Sequence, residues 1–542
     1  MGTVVIPTRE LGAVFTKRWM VEFMLDLCEY TPDRDLSTLV ALEPSCGDGA
    51  FLLPMVERLS ESCRRQSVDI MQAREAIRAY DLQEVHVRTC RENVSRWLQE
   101  DGWPTQSADT LAETWVRQGD FLLDVDCTSQ ADIVIGNPPY IRSESIPPEL
   151  RREYVKRCET MTEGTDVYVG FFEVGLRSLK PGGILCFICA DRWMRNGYGK
   201  KLRRLVSRHY DLKAVLEMHG VDAFAQEVAA YPAVTMIRAG QQGGVLFAKA
   251  HPSFGAESAS RLARWCASPT ASHEDRDFSA ATLEKWAMNE GHWPVGRPER
   301  LKILADLETR FPSLEESAVR VGIGVATGAD KVFVVNDPDC VEPDRLLPLV
   351  RTKDIHDGQI RWSRTWLVNP WREDGTLVSL DEYPRFAQYL EAHRAALANR
   401  HVARKNGDTW YRTIDKVIPW LTDRPKLLFP DMKTHIEPVL DRGGLYPHHN
   451  LYWVVSDQWD MEVLGGLLLS KVAEFFVASY AVRMRGDTLR FQAQYLRKIR
   501  VPRYEELDDS ARAKLKDAFR NRDTEAATEI ALQVYGISDI PD

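Results

Sequence analysis

Leu39-Val40-Ala41-Leu42-Glu43-Pro44-Ser45-Cys46-Gly47-Asp48-Gly49-Ala50 runs from a short apolar strand through a glycine-rich turn into helical sequence. A strand that turns directly into a helix opens a βαβ unit. Residues 50–59 read as that helix, and Ile77-Arg78-Ala79-Tyr80-Asp81 reads as the next strand. Both strands end in an acid. Residues 84–100 are amphipathic, with Val87, Cys90, Val94 and Trp97 at helical spacing. Ile133-Val134-Ile135 is a further strand, and residues 168–179 read as a helix stopped by Lys180-Pro181-Gly182-Gly183. The strand 184–189 follows. This alternation, sustained to about residue 240, predicts a mostly parallel, Rossmann-like α/β sheet with crossover helices.

Bulk properties bound the rest. A chain of 542 residues exceeds the ~250 of most single domains, so two or three are expected. Apolar residues make up 44%, enough for a core in each. No apolar run approaches the ~18 residues of a membrane span, and the first ten residues lack a signal-peptide core. A cytoplasmic protein is expected. The ten cysteines form no framework. Cys186 and Cys189 make a CxxC, but within a strand residues three apart face opposite ways. No second ligand pair has zinc spacing, so buried thiols in a reducing compartment, and no metal, are expected. The net charge of −9 counts against a wholly basic nucleic-acid binder, although a basic cleft can sit on an acidic body.

Two segments carry the chemistry. The turn from Glu43 through Pro44 to Gly47 lets a ligand approach the backbone closely, and open parallel sheets bind ligands at the carboxyl ends of their strands. Asp81 ends the second strand, where a carboxylate can accept both hydroxyls of a ribose. Asp120, in Gly119-Asp120-Phe121, can accept from an adenine amino group while Phe121 packs on the ring. A helix cap or a surface carboxylate is the plainer reading of either acid taken alone. Together they suit an adenosine-bearing cofactor. The three-glycine turn that cradles a pyrophosphate is missing, which disfavours a dinucleotide.

Asn137-Pro138-Pro139-Tyr140, at the end of the strand 133–135, is the most specific motif in the chain. An amino group on an aromatic ring is a poor nucleophile, because its lone pair is delocalised. A site that accepts hydrogen bonds from it favours a more tetrahedral nitrogen. The Asn137 side-chain oxygen and the Pro138 carbonyl can do this, while the prolines remove competing donors and stiffen the turn. The Tyr140 ring can stack on a flat base or favour a nearby sulfonium.

On these residues the chain resembles the class I S-adenosylmethionine methyltransferases, and more closely the gamma-class adenine-N6 DNA methyltransferases of the TaqI type, found in restriction-modification systems. The resemblance implies S-adenosyl-L-methionine as cofactor and double-stranded DNA as substrate. It also implies a separate mixed α+β C-terminal target-recognition domain. Phe15-Thr16-Lys17-Arg18-Trp19-Met20-Val21-Glu22-Phe23-Met24 matches the family segment whose threonine meets the methionine carboxylate, so Thr16 is implied there; the family's usual proline is Lys17 here. Glu43 is implied to hold the methionine amino group, Asp81 the ribose, and Asp120 with Phe121 the adenine. The family places a second aromatic on the other face of an extruded base. Phe224 is the candidate and Tyr231 the alternative, with an ordinary core aromatic the plainer reading. The expected division is a catalytic domain over 1–240, a connecting region over 241–300 and a DNA-recognition domain over 301–542.

Beyond residue 300 the resemblance rests on looser matches: Val321-Gly322-Ile323-Gly324-Val325-Ala326-Thr327-Gly328, then Lys331 to Val335, then Arg351-Thr352-Lys353-Asp354-Ile355. Arg483, Arg485, Arg490, Arg497, Lys498, Arg500 and Arg503, with Phe491 and Tyr495 among them and Asp487 as the nearby acid, form a basic stretch. Such a stretch can bind phosphates or can be a solvated helix face. No Pro-Cys occurs, which disfavours cytosine-C5 chemistry, and cytosine-N4 enzymes usually carry Ser where Asn137 stands. The rival readings are a glutamine-N5 protein methyltransferase of the release-factor type and an RNA adenine methyltransferase. Both share the motif; the some 300 residues after it favour DNA. A monomer is expected, with a cognate restriction endonuclease on a separate chain as a candidate partner.

Overall fold

The computed structural model describes residues 15–126, 131–226, 231–270, 272–284, 286, 290–294, 296–405, 407–481 and 488–541. The chain divides into two compact units, Met1–Ala305 and Asp306–Asp542.

The first unit is built on one ten-stranded sheet. Its strands are β1 (Ala41–Glu43), β2 (Ile77–Asp81), β3 (Val116–Gln118), β4 (Ala131–Gly136), β5 (Leu179–Ala190), β6 (Asp211–Glu217), β7 (Pro232–Arg238), β8 (Val245–Ala250), β9 (Ser272–Glu274) and β10 (Phe278–Leu283). They lie in the order β3-β2-β1-β4-β5-β7-β6-β8-β10-β9. The run from β3 to β5 is parallel, whereas β7 inserts antiparallel between β5 and β6. The strand order reverses between β1 and β4, which run parallel, so the carboxyl ends of both open onto the same edge, where α/β sheets place their ligands.

Helices α1 (Arg18–Leu27), α2 (Leu52–Gln66) and α3 (Glu84–Glu100) cover one face. They bury Met20, Met24, Met55, Leu59, Val87 and Val94 there. On α3 the fourth core position is Leu98, while Trp97 is half-buried. The other face packs on Phe121, Phe172, Trp193 and Trp293. Cys186 belongs to the first cluster and Cys189 to the second, as opposite faces of β5 require. No disulfide joins the described cysteines.

The stretch 241–300, expected to be a connection, instead supplies β8, β9 and β10 to the sheet. Phe247, Ala248, Phe278 and Ala280 are each at most 1% exposed. The residues between them are partly polar, which breaks up the apolar run a sequence reading looks for.

The second unit has mixed α+β structure. One four-stranded sheet joins Val319–Ile323, Leu451–Ser456, Lys426–Pro430 and Val439–Asp441, and another joins Val334–Val335, Trp366–Val368, Leu346–Val350 and Tyr446–Pro447. The helices Met461–Leu469, Lys471–Tyr480, Asp509–Asn521 and Thr524–Tyr535 start at side-chain caps from Asp460, Ser470, Asp508 and Asp523. Three arginines of the basic stretch are paired inside this unit. Arg490 pairs with Asp431, Arg497 with Glu315 at 2.8 Å and Arg500 with Glu316 at 3.2 Å. Phe491 and Tyr495 are buried. Arg483, Arg485 and Asp487 lie outside the described residues. Among the described residues no helix is long and apolar enough to cross a membrane.

The burial of β8 and β10 predicts where the chain can be cut. A fragment ending at residue 305 should be soluble and melt cooperatively. One ending at residue 240 exposes the β6 edge and the apolar surface it packs, and should aggregate or melt without cooperativity. Size-exclusion chromatography and calorimetry of the two fragments decide the matter; equal behaviour would show that β8 to β10 are dispensable.

Candidate active site

The parallel register of β1 on β4 pairs Ala41 with Ile133 and Leu42 with Val134. It brings Glu43 and Asn137 to neighbouring strand ends. One pocket opens there, lined by Thr16, Glu43, Pro44, Gly47, Asp48, Asp81, Asp120, Phe121 and Asn137, with Pro139 among further residues.

Gly47 has φ +52°, a left-handed conformation that a side chain would strain. Its amide donates to Asp81 Oδ2 at 2.9 Å, which holds the glycine-rich turn against the end of β2. Asp81 Oδ1 accepts from the Gln83 amide at 2.9 Å and meets His86 Nδ1 at 3.2 Å. Asp120 caps the short helix Phe121–Asp124 through Oδ1 and the Leu122 amide at 2.9 Å, so the plain capping role is present too. Its Oδ2 accepts from the Tyr154 hydroxyl at 2.7 Å. Burial raises the proton affinity of the Asp120 carboxyl, and the Tyr154 bond works against that rise. Phe121 stacks on Phe171 with ring centres 5.2 Å apart and planes at 26°.

Glu43 is 1% exposed, and its Oε2 has no hydrogen-bond partner among the described residues. Burial first, and then the neighbouring Cys90, Asp81 and Asp48, push its carboxyl well above the usual range. A buried carboxylate surrounded by acids is poised for a cation.

Asn137 Nδ2 donates to Thr16 Oγ1 at 3.2 Å, and the Ser45 hydroxyl donates to the Asn137 carbonyl at 3.2 Å. Thr16 is held by a backbone bridge to Phe224, flanked by Lys17 N to Ala223 O and Ala225 N to Phe15 O, each 2.9 Å. The Lys17 amide thus makes a bond that proline cannot make, and its ammonium pairs with Asp222.

Pro138, Tyr140 and Phe224 stand outside the pocket lining. Pro138 is buried. Tyr140 packs on the second core cluster, with its hydroxyl buried and without a hydrogen-bond partner among the described residues. Phe224 is 6% exposed and belongs to the first cluster. The alternative, Tyr231, is 46% exposed, its ring centre 4.9 Å from that of His219.

Sequence reasoning missed Ile141, Ile146, Tyr154, Val167 and Phe171 of the lining. They come from a loop and two helices with no local signature. It also missed His86, whose place in the first turn after the Asp81 strand was a usable signal.

His219 follows β6 and contacts Asp191 and Glu217, each at 3.1 Å. Burial opposes its charge, yet the two carboxylates hold its proton affinity up to about 9. Burial likewise opposes ionisation of Glu217, which His219 and Lys249 bring down to about 2.

Residues 66–224 match the Eco57I restriction-modification methylase family, and residues 347–501 match the TaqI-like C-terminal specificity domain. Over 97% of its length the chain is 43% identical to the Type II methyltransferase M.PaeR7I of Pseudomonas aeruginosa, covering 92% of that protein. It is 40% identical to the Type II methyltransferase M.XhoI of Xanthomonas vasicola, with 98% of each chain covered. Among solved structures, the Type IIL restriction-modification enzyme MmeI in complex with DNA aligns with TM-score 0.51 at 10% identity, over 97% of this chain and 75% of that one. That last likeness concerns the fold.

The His219 cluster sets a pH dependence. A histidine whose affinity rises from 6.5 to about 9 on folding stabilises fully below about pH 6.5, and that stabilisation is lost as pH rises through about 9. Denaturant unfolding of the wild type and His219→Gln across pH 6 to 10 should show a gap that closes over this window. A constant gap would mean that His219 does not carry the charge.

Proposed function

The chain belongs to the TaqI-like, adenine-specific Type II DNA methyltransferases of restriction-modification systems, and on that premise we propose how its residues perform the transfer. The reaction moves a methyl group from S-adenosyl-L-methionine to N6 of an adenine turned out of double-stranded DNA. The observation that carries this reading is the opening of Glu43 and Asn137, from adjacent parallel strands, into one pocket.

The lining suits the cofactor by charge. Glu43, Asp48, Asp81 and Asp120 favour a ligand bearing cationic groups and disfavour a pyrophosphate. The unpartnered Glu43 Oε2 calls for a donor such as the methionine ammonium. Thr16 meets the methionine carboxylate, Asp81 the ribose, and Asp120 with Phe121 the adenine. Pro44 and Gly47 let the backbone approach the ligand closely. When bound, the cofactor supplies a methyl group made electrophilic by its sulfonium.

An adenine amino group is paired inside the duplex, so the base must be extruded before it can react. Asn137 Oδ1 and the Pro138 carbonyl accept its two hydrogens and aim the nitrogen's lone pair at the pocket. Tyr140 stacks on one face of the base. Positioning of this kind supplies much of the rate, with no covalent intermediate. Phe224 is assigned to the other face. Its 6% exposure against 46% for Tyr231 favours, as a second reading, Tyr231 in that place. The unit from residue 306 onward is assigned to DNA recognition. The protein is assigned to the cytosol as a monomer, with a cognate restriction endonuclease on a separate chain as a candidate partner.

Labelled S-adenosyl-L-methionine offered with duplex DNA, RNA and a release factor tests the substrate. Label is expected in DNA alone, and label only in protein would overturn the reading. Asn137→Ala should lower turnover on the order of 10²–10³-fold, the cost of removing an oriented polar group at a reacting centre. Cofactor affinity, read by calorimetry, should change little. Unchanged turnover would refute the role of Asn137.

A further inference from the structure

In the second unit, Asp330, His448 and His449 converge on one point. His448 Nε2 lies 3.0 Å from Asp330 Oδ2 and 3.1 Å from His449 Nδ1, and one ligand atom from each residue falls within 4.8 Å of the others. Hydrogen bonding serves this arrangement poorly. If Nε2 carries a hydrogen, one donor is shared between a carboxylate and a second imidazole. If Nε2 is bare, its lone pair faces the carboxylate. A cation at the meeting point takes all three lone pairs at once. Tetrahedral ligands on a metal with bonds of 2.0–2.1 Å stand about 3.3 Å apart, close to the two short distances.

The surroundings hold these groups in place. Thr327, fully buried, donates to the other Asp330 oxygen and so orients the carboxylate. The His448 amide bonds to Val350 O at 3.0 Å, and the His449 amide to Val325 O at 3.1 Å. A side chain on Gly324 would come within 2.3 Å of the His448 carbonyl, so this close backbone approach needs glycine. His448 is 4% exposed. The Asp330 side chain is 44% exposed, which leaves an entry path and room for water as a further ligand.

We propose that Asp330, His448 and His449 form a binding site for a borderline divalent transition cation, with zinc as the reference ion. The donor set of two imidazoles and one carboxylate suits zinc, cobalt or nickel and suits magnesium poorly. The site is independent of the methyl-transfer reading: it ties the glycine-rich segment ending at Gly328 to the strand end at His448, 118 residues away between its Asp330 and His448 ligands.

The test uses the full-length chain, stripped with a chelator and then titrated with Zn²⁺ against a chromophoric competitor. Asp330→Asn and His449→Gln change the two less buried ligands, so both variants should keep the cooperative melt of the stripped wild type. The wild type should bind one zinc equivalent that each variant binds at least 10-fold more weakly. Zn²⁺, but not Mg²⁺, should raise the melting midpoint of the wild type alone. Thr327→Val, which leaves the ligands in place but unorients one, should weaken binding 10–100-fold. Equal zinc binding and equal midpoint shifts in the wild type and the two ligand variants would overturn the proposal.

Discussion

The pairing of Leu42 with Val134 is the constraint on which the site depends. Parallel neighbours end at the same edge, so this register delivers Glu43 and Asn137 side by side. A slip of one residue in either strand would turn that strand's side chains to the opposite face. Either Glu43 would then leave its buried place among the acids, or Asn137 would leave Thr16. The close passage of Gly136 against Pro44, where a Cβ would stand 3.3 Å from the proline ring, shows how tightly the two strand ends meet. Apolar packing on both sheet faces resists the slip, because Leu42 and Val134 belong to one core cluster and Ala41 and Ile133 to the other.

A second, long-range closure completes the pocket. The segment from Phe15 to Lys17 pairs with the backbone around Phe224, and Thr16 reaches Asn137 from there. A residue before the first strand is thereby coupled to one between β6 and β7. The Lys17 amide contributes a bond to this closure that the family's usual proline would forgo. The departure from the family pattern at residue 17 therefore has a structural use.

Features that depend on local sequence were legible. The strands ending at Glu43, Asp81 and Gly136 announced themselves by apolar runs closed by acids or glycine. The opposite facing of Cys186 and Cys189 followed from strand geometry alone. Features that depend on distant partners were not legible. Arg490, Arg497 and Arg500 looked available for phosphates because their partners lie 59, 182 and 184 residues away. The aromatic wall at Tyr154 and Phe171 has no local signature, since neither residue belongs to a motif. The strands β8 to β10 escaped because they sit at the far edge of the sheet. There the alternation of polar and apolar residues is imperfect, and one stretch is only three residues long.

On the proposed function, chemistry and targeting fall to different parts of this chain, and the physics of the pocket explains why. In the proposed mechanism Asn137 and the Pro138 carbonyl accept from a planar NH2 group, which adenine shares with a carboxamide. The acidic lining suits a cationic cofactor, whatever the acceptor. Neither holds information about which macromolecule presents the amino group. That information needs a surface much larger than the pocket, and sequence readout in DNA needs several directed contacts in a groove. The identity to M.PaeR7I and M.XhoI extends over the second unit as well as the first. The assignment to DNA therefore rests on the whole length of the chain, while the assignment to amino-group methylation rests on a few residues at the ends of two strands.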